Sequence, residues 1–191
     1  MSSSFRLELE RWLSEKDIVA EYVLGIGDAQ NPTKGRTRSW QVKEYKIADL
    51  ASPHKDSPKP DIVMDLNKKM TYEVMGYMGI PDVIFCLEVF DYIYNPVNAM
   101  EILYKLLKPG GRCYISFPSQ YPLHQPVEDD ALRYMPGGIK KLADHAGFQI
   151  VSMTPRKMES PYFDMYIRAE RLRAAKHHDH TFSGWLVELT R

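Results

Sequence analysis

The chain has 191 residues, 44% of them hydrophobic and 26% charged, and its formal net charge is zero. That balance fits one globular domain over residues 1–191 and gives no overall electrostatic case for nucleic acid or an anionic membrane. The two cysteines, Cys86 and Cys113, lie in apolar runs, so buried thiols in a reducing, cytoplasmic setting are expected rather than a disulfide framework.

The start, "MSSSFRLELERW", lacks the apolar stretch of a signal peptide, and the longest apolar runs are too short to span a bilayer. Residues 6–15 place Leu7, Leu9, Trp12 and Leu13 among charges, which predicts a short amphipathic helix. "IVAEYVLGI" (18–26) is the first strand. A polar loop broken by Pro32 and Gly35 leads to a second strand over 42–50, and "DIVMDL" (61–66) is a third. The Met-rich stretch 68–79 reads equally as helix or irregular chain. "PDVIFCLEVF" (81–90) is nearly continuous in apolar residues, as in a strand covered on both faces.

A helix over 96–107 stops at Pro109-Gly110-Gly111, and "RCYISFP" (112–118) is the fifth strand. After an aromatic, proline-rich loop come a helix ending at Gly147, a sixth strand over 148–156, a helix over 164–175 and a closing strand, "SGWLVELTR". Strands alternating with helices predict an α/β fold with a parallel sheet and right-handed crossovers. Ligands of such sheets bind beyond the carboxyl ends of the strands.

Those strand ends carry suggestive residues. Gly25 and Gly27 form a G-x-G after the first strand, where a missing Cβ lets a ligand approach the backbone; a plain tight turn explains them too. Asp49 ends the second strand, where an acid can accept both ribose hydroxyls of an adenosine-type ligand, or serve as a strand-end acid or helix cap. Asp65 can accept an exocyclic amine while Leu66 packs on the ring, or act as a cap. The "HHDH" run (177–180) reads better as a polar turn than as metal ligands, because adjacent residues rarely reach one ion.

"YVLGIGDAQ", "YKIADL", "DIVMDL", "PDVIFCLEVFDYIYNP", "LLKPGGRCYISFP" and "RYMPGGIKKLADHAGF" occur in this order. Together, over residues 18–155, they resemble the class I S-adenosylmethionine-dependent methyltransferases of the broad type 11 group. The resemblance implies a Rossmann-like seven-stranded sheet, mostly parallel with an antiparallel last strand, and helices on both faces. It implies S-adenosyl-L-methionine as cofactor, held by Gly25, Gly27, Asp28, Asp49, Leu50, Asp65, Leu66, Cys86 and Leu87. The sequence departs from the family where an acid is replaced by Gly25, a second loop glycine by Ala29, and a frequent histidine by Tyr92. Asp28 can supply the missing carboxylate. Because strand and turn otherwise match, an acid introduced at Gly25 is expected to be accommodated.

The loop "FPSQYPLHQPVEDDALRY" (117–134) should overhang the cofactor and bind the acceptor. His124 is the natural general base by its ordinary pKa, or lines the acceptor site. Tyr121, Asp129, Arg133 and Tyr134 are the candidate substrate contacts, with an Arg133 bridge to Asp129 or Asp130 as the structural alternative. Lys34, Arg36 and Arg38 either meet an anion or form a solvated loop. The expected activity is methyl transfer to a small-molecule or glycan acceptor, at a hydroxyl. The rivals are a non-catalytic S-adenosyl ligand-binding or partner-binding domain, and a nicotinamide-dependent oxidoreductase, which the missing third glycine disfavours.

Overall fold

The computed structural model describes residues 4–52, 57–120, 123, 126–157 and 182–191. Helix α1 (Ser4–Ser14) leads into strand β1 (Asp17–Ile26), followed by β2 (Ser39–Asp49) and the short β3 (Ile62–Val63). The Met-rich stretch holds one helical turn, α2 (Tyr72–Met75), capped by the Thr71 hydroxyl, which accepts from Val74 N. Strand β4 (Val83–Cys86), helix α3 (Pro96–Leu106), β5 (Arg112–Pro118), helix α4 (Pro136–Ala146), β6 (Gln149–Lys157) and β7 (Phe182–Thr190) complete the described α-helices and strands. The expected 164–175 helix and the 177–180 turn lie outside the described residues.

The described strands form one seven-stranded sheet in the order β3-β2-β1-β4-β5-β7-β6. Strands β1 to β5 pair in parallel, and β7 runs antiparallel to both β5 and β6. This is the expected Rossmann-like arrangement with one reversed last strand. Strand order reverses between β1 and β4, which opens a crevice at their carboxyl ends.

Alternation along the strands sorts the side chains between two cores. Leu24, Ile26, Ile84, Cys86, Ile115 and Phe117 face α3 and α4, where Met100, Leu103, Ile139 and Ala143 are buried. Val23, Phe85, Tyr114 and Leu186 face the other way, against Leu9, Trp12 and Leu13 of α1. There Phe85 stacks on Tyr114 at 5.0 Å and Trp12 meets Tyr114 edge-on at 5.7 Å. Helices thus cover both faces. Helix α3 starts with Pro96 behind the Asn95 cap, and α4 stops where Gly147 takes a left-handed conformation (φ 97°).

The connection from β1 to β2 carries no helix, as the basic-loop reading expects. Parallel neighbours are usually joined through a helix. Here residues 27–38 fold around the buried Asp28 carboxylate instead. Its Oδ2 accepts from Thr33 N (3.1 Å), Thr33 Oγ1 (2.7 Å) and Tyr45 Oη (2.7 Å). Two arginines pin the loop's outer side. Arg36 grips Glu10 of α1 through Nε (3.1 Å) and Nη2 (2.7 Å), and Arg38 pairs with Asp17 of β1. The hydrogen bonds from Arg38 and then Ser39 hold the exposed Asp17 carboxyl down at about 2.

Candidate functional site

Register sets the site. Ile26 at the end of β1 pairs with Ala48 of β2 and Cys86 of β4, and Cys86 pairs with Ile115 of β5. Gly27 and Asp49 follow directly, and Glu88 lies two residues past Cys86, its N–H donating to Ser116 Oγ (2.7 Å). Gly27, Asp49 and Glu88 line a cleft of about 620 Å³ at the carboxyl edge of the sheet. That volume lies in the range of cofactor and small-molecule sites.

Gly27 is required on two grounds. Its φ is +72°, and a Cβ there would lie 2.3 Å from Val89 Cγ2. Its N–H donates to Ala48 O (2.9 Å), closing the turn. Asp49 ties this turn to β2, its Oδ2 accepting from Ala29 N (3.3 Å) and its Oδ1 from Leu50 N (2.8 Å). Past β3, Asp65 accepts from Asn67 N (2.9 Å) and pairs with Lys68 (3.2 Å). Gly27, Asp49, Leu50, Asp65 and Leu66 all line the cleft.

Four other expected cofactor residues, Gly25, Asp28, Cys86 and Leu87, are buried and are not among the lining residues. Burial raises the Asp28 carboxyl above the ordinary aspartate range, against the lowering bonds from Thr33 and Tyr45. Burial likewise pushes the Cys86 thiol well up, which removes thiolate chemistry there. Cys86 and Cys113 are both free and buried, as expected. The expectation that an acid fits at Gly25 is corrected by geometry. A Cβ at Gly25 would lie 2.3 Å from Asp28 Oδ2 and 2.8 Å from Tyr45 Oη.

The 117–134 loop reaches the cleft through Pro126, Glu128, Asp129 and Ala131. Ala131 N donates to Asp91 O (2.7 Å) and Tyr134 N to Pro118 O (2.7 Å), anchoring the C-terminal side of the segment. Asp129 is among the lining residues. Arg133 instead pairs with Asp130 at 2.5 and 2.6 Å, the bridge weighed as its structural alternative. Tyr134 is buried against Phe90 and Phe117, and its hydroxyl donates to Ile93 O (3.3 Å). His124 and Tyr121 lie outside the described residues. None of Lys34, Arg36 and Arg38 lines the cleft.

Sequence reasoning missed the asparagine framework. Asn67 Oδ1 accepts from Tyr94 N (2.9 Å) and Asn95 N (3.2 Å), and Asn98 Nδ2 donates to Leu66 O (2.8 Å) and Lys68 O (2.9 Å). These bonds lock the loop after β3 to the loop after β4 and to the first turn of α3. Glu88 falls inside the predicted 81–90 strand, and no local signal singles it out. In the fold its carboxylate meets Ser116 of β5 and Arg156 of β6. Among the described residues no cluster of His, Cys, Asp and Glu could hold a metal ion, and no helix is long and apolar enough to cross a membrane.

Residues 9–153 match the family profile described as "Methyltransferase domain". No curated protein matches the chain at a significant level. Among solved structures, the chain is similar to an S-adenosylmethionine-dependent methyltransferase from Mesorhizobium loti, with TM-score 0.61, 13% identity and 98% of each chain covered. A SAM-dependent methyltransferase from Archaeoglobus fulgidus aligns with TM-score 0.60 and 12% identity, over 98% of this chain and 92% of that one. The Haemonchus contortus phosphoethanolamine N-methyltransferase 2, solved with S-adenosyl-L-methionine, aligns with TM-score 0.56 and 14% identity, over 98% of this chain and 52% of its own. At these identities the structures speak to the fold, and the profile, matched over most of the sequence, shows that the chain belongs to the methyltransferase-domain family.

Proposed function

We propose that the protein transfers a methyl group from S-adenosylmethionine to a small-molecule or glycan acceptor, with a hydroxyl as the receiving group. One observation carries this reading. Gly27, Asp49 and the Asp65–Leu66 pair, from the ends of three neighbouring strands, converge on a single cleft. These residues suit an adenosyl group. Gly27 leaves the backbone open, Asp49 offers acceptor oxygens to ribose hydroxyls, and Asp65 with Leu66 offers a carboxylate and an apolar surface to the base.

When bound, S-adenosylmethionine supplies an electrophilic methyl group on a sulfonium sulfur. The chain's own residues then have to place the acceptor and exclude water. The segment carrying Glu128 and Asp129 walls the acceptor side of the cleft. On this reading His124 takes the acceptor's hydroxyl proton as the base, and Tyr121 and Asp129 contact the acceptor.

Calorimetric titration with S-adenosylmethionine, S-adenosylhomocysteine and NAD tests the reading. The two S-adenosyl ligands are expected to bind and NAD is not. Binding of NAD alone would overturn it. A second reading, a non-catalytic S-adenosyl-binding domain, draws on the missing acid at Gly25, whose space Asp28 fills. Tight binding without methyl transfer to any of a broad panel of hydroxyl compounds would favour that reading.

A further inference from the structure

Glu88 has φ 57°, the only positive φ of a non-glycine among the described residues. A glutamate pays strain in that region, and such outliers persist only where surrounding contacts over-determine them. The contacts here are specific. Glu88 N donates to Ser116 Oγ (2.7 Å), and Ser116 Oγ donates back to Glu88 Oε1 (2.7 Å). Arg156 donates from Nη1 to Oε1 (2.7 Å) and from Nη2 to Oε2 at the longer distance of 3.4 Å.

Two readings of this cluster are possible, and exposure separates them. A buried arginine needs a carboxylate partner, and Arg156 is only 3% exposed, so the pair ties β6 to the end of β4. A clamp alone would bury both partners. The Glu88 side chain is 37% exposed and lines the cleft next to Val89 and Tyr92. Its Oε1 takes both short bonds, which leaves Oε2 with acceptor capacity beside the cleft. The charge of the walls adds a sign. Glu128 and Asp129 stand in the same lining, and Lys68, the one cation among its described residues, is paired with Asp65.

Resting on the methyltransferase reading above, we infer that Glu88 binds the acceptor and selects one carrying a cationic amine over an anionic one, with Ser116 and Arg156 as its positioning residues. A carboxylate fixed by two donors accepts an ammonium N–H without reorganising, and the acidic walls disfavour carboxylate or phosphate. The amine is a recognition group. The inference does not require it to be the methylated atom.

The test uses tyramine and 4-hydroxyphenylacetate, which share a ring and a hydroxyl and differ in the sign of their charge. Binding to the full chain is read by saturation-transfer NMR, with and without S-adenosylhomocysteine. Tyramine is expected to bind at least about tenfold more tightly than the anion. Glu88→Gln should erase that preference while changing S-adenosylhomocysteine affinity less than about twofold. Glu88→Asn, whose side chain tolerates left-handed backbone, is the second variant should Glu88→Gln fold poorly, and it should lose the preference too. Arg156→Met should weaken the preference and Arg156→Lys restore part of it, which a purely structural clamp would not do. Equal binding of the two probes, no tyramine binding, or a preference that survives both Glu88 variants overturns the inference. A wild-type chain that fails to bind S-adenosylhomocysteine overturns the methyltransferase reading itself and takes this inference with it.

Discussion

The Asp28 carboxylate occupies the space that any side chain at Gly25 would need. A Cβ built on Gly25 would lie 2.3 Å from Asp28 Oδ2 and 2.9 Å from Asp28 Cβ. The carboxylate cannot swing clear without cost, because Thr33 N, Thr33 Oγ1 and Tyr45 Oη all donate to that oxygen. Glycine at 25 and aspartate at 28 are therefore one structural unit. That unit replaces the helix that would ordinarily follow β1.

Gly25→Ala is accordingly expected to destabilise the protein by about 1–3 kcal/mol, the usual cost of overpacking a filled site. Gly25→Asp should cost more, since it also sets a second carboxylate against Asp28. Urea denaturation measures both. In a double-mutant cycle, Asp28→Ala and Gly25→Ala should be less than additive, because the first removes the atom that the second strikes. Wild-type stability of Gly25→Asp would show that the loop relaxes freely.

Asp28 also predicts a pH dependence. Its folded pKa is raised, chiefly by desolvation, so between the ordinary aspartate value and the raised one the folded state holds more protons than the unfolded state. Stability from this group is then present below the unfolded pKa and lost as pH rises through the folded pKa. Asp28→Asn keeps an oxygen to accept the Thr33 and Tyr45 bonds and carries no charge. Its melting temperature should match or exceed wild type at pH 7, and the difference should shrink as pH falls towards 4. Asp28→Ala strands buried donors and should lose roughly 1–3 kcal/mol. A gap between Asp28→Asn and wild type that does not change with pH argues against a titrating carboxylate.

For Asp49, substitution by alanine is expected to weaken S-adenosylhomocysteine binding about ten- to a hundredfold, the worth of a charge-assisted bond of about 1.5–3 kcal/mol. Because Asp49 also accepts from Ala29 N and Leu50 N, Asp49→Asn is the better-matched control for folding. Calorimetry on variants shown to be folded by circular dichroism reads the affinity. Unchanged affinity in Asp49→Ala would remove the ribose contact from the site.

The basic loop should behave as structure. Arg36→Ala breaks a two-bond contact with Glu10 and should lower stability by about 1 kcal/mol while leaving S-adenosylhomocysteine affinity within about twofold. Arg133→Ala, which breaks the pair with Asp130, should lower the melting temperature with little change in cofactor affinity. A marked affinity loss in Arg36→Ala would restore the anion-binding reading of this loop.

What was legible in the sequence was what local pattern carries. Apolar runs and their period placed the strands and the helices α1, α3 and α4 within a few residues, and the Pro109-Gly110-Gly111 stop set the start of β5. Strand ends named Gly27, Asp49, Asp65 and Leu66, because a parallel sheet delivers its carboxyl ends to one edge whatever the loops do. Tertiary structure decided which charges were available for chemistry. Arg36, Arg38 and Arg133 look alike as isolated cations in a chain, and only packing brings Glu10, Asp17 and Asp130 against them. The Glu88–Arg156 pair has no local signal at all. The partners lie 68 residues apart, and they meet across β5 and β7, which stand between β4 and β6 in the sheet order. Periodicity reports which face a residue turns to the core. Which distant charge waits there depends on strand order and register, and those arise from the whole chain folding at once.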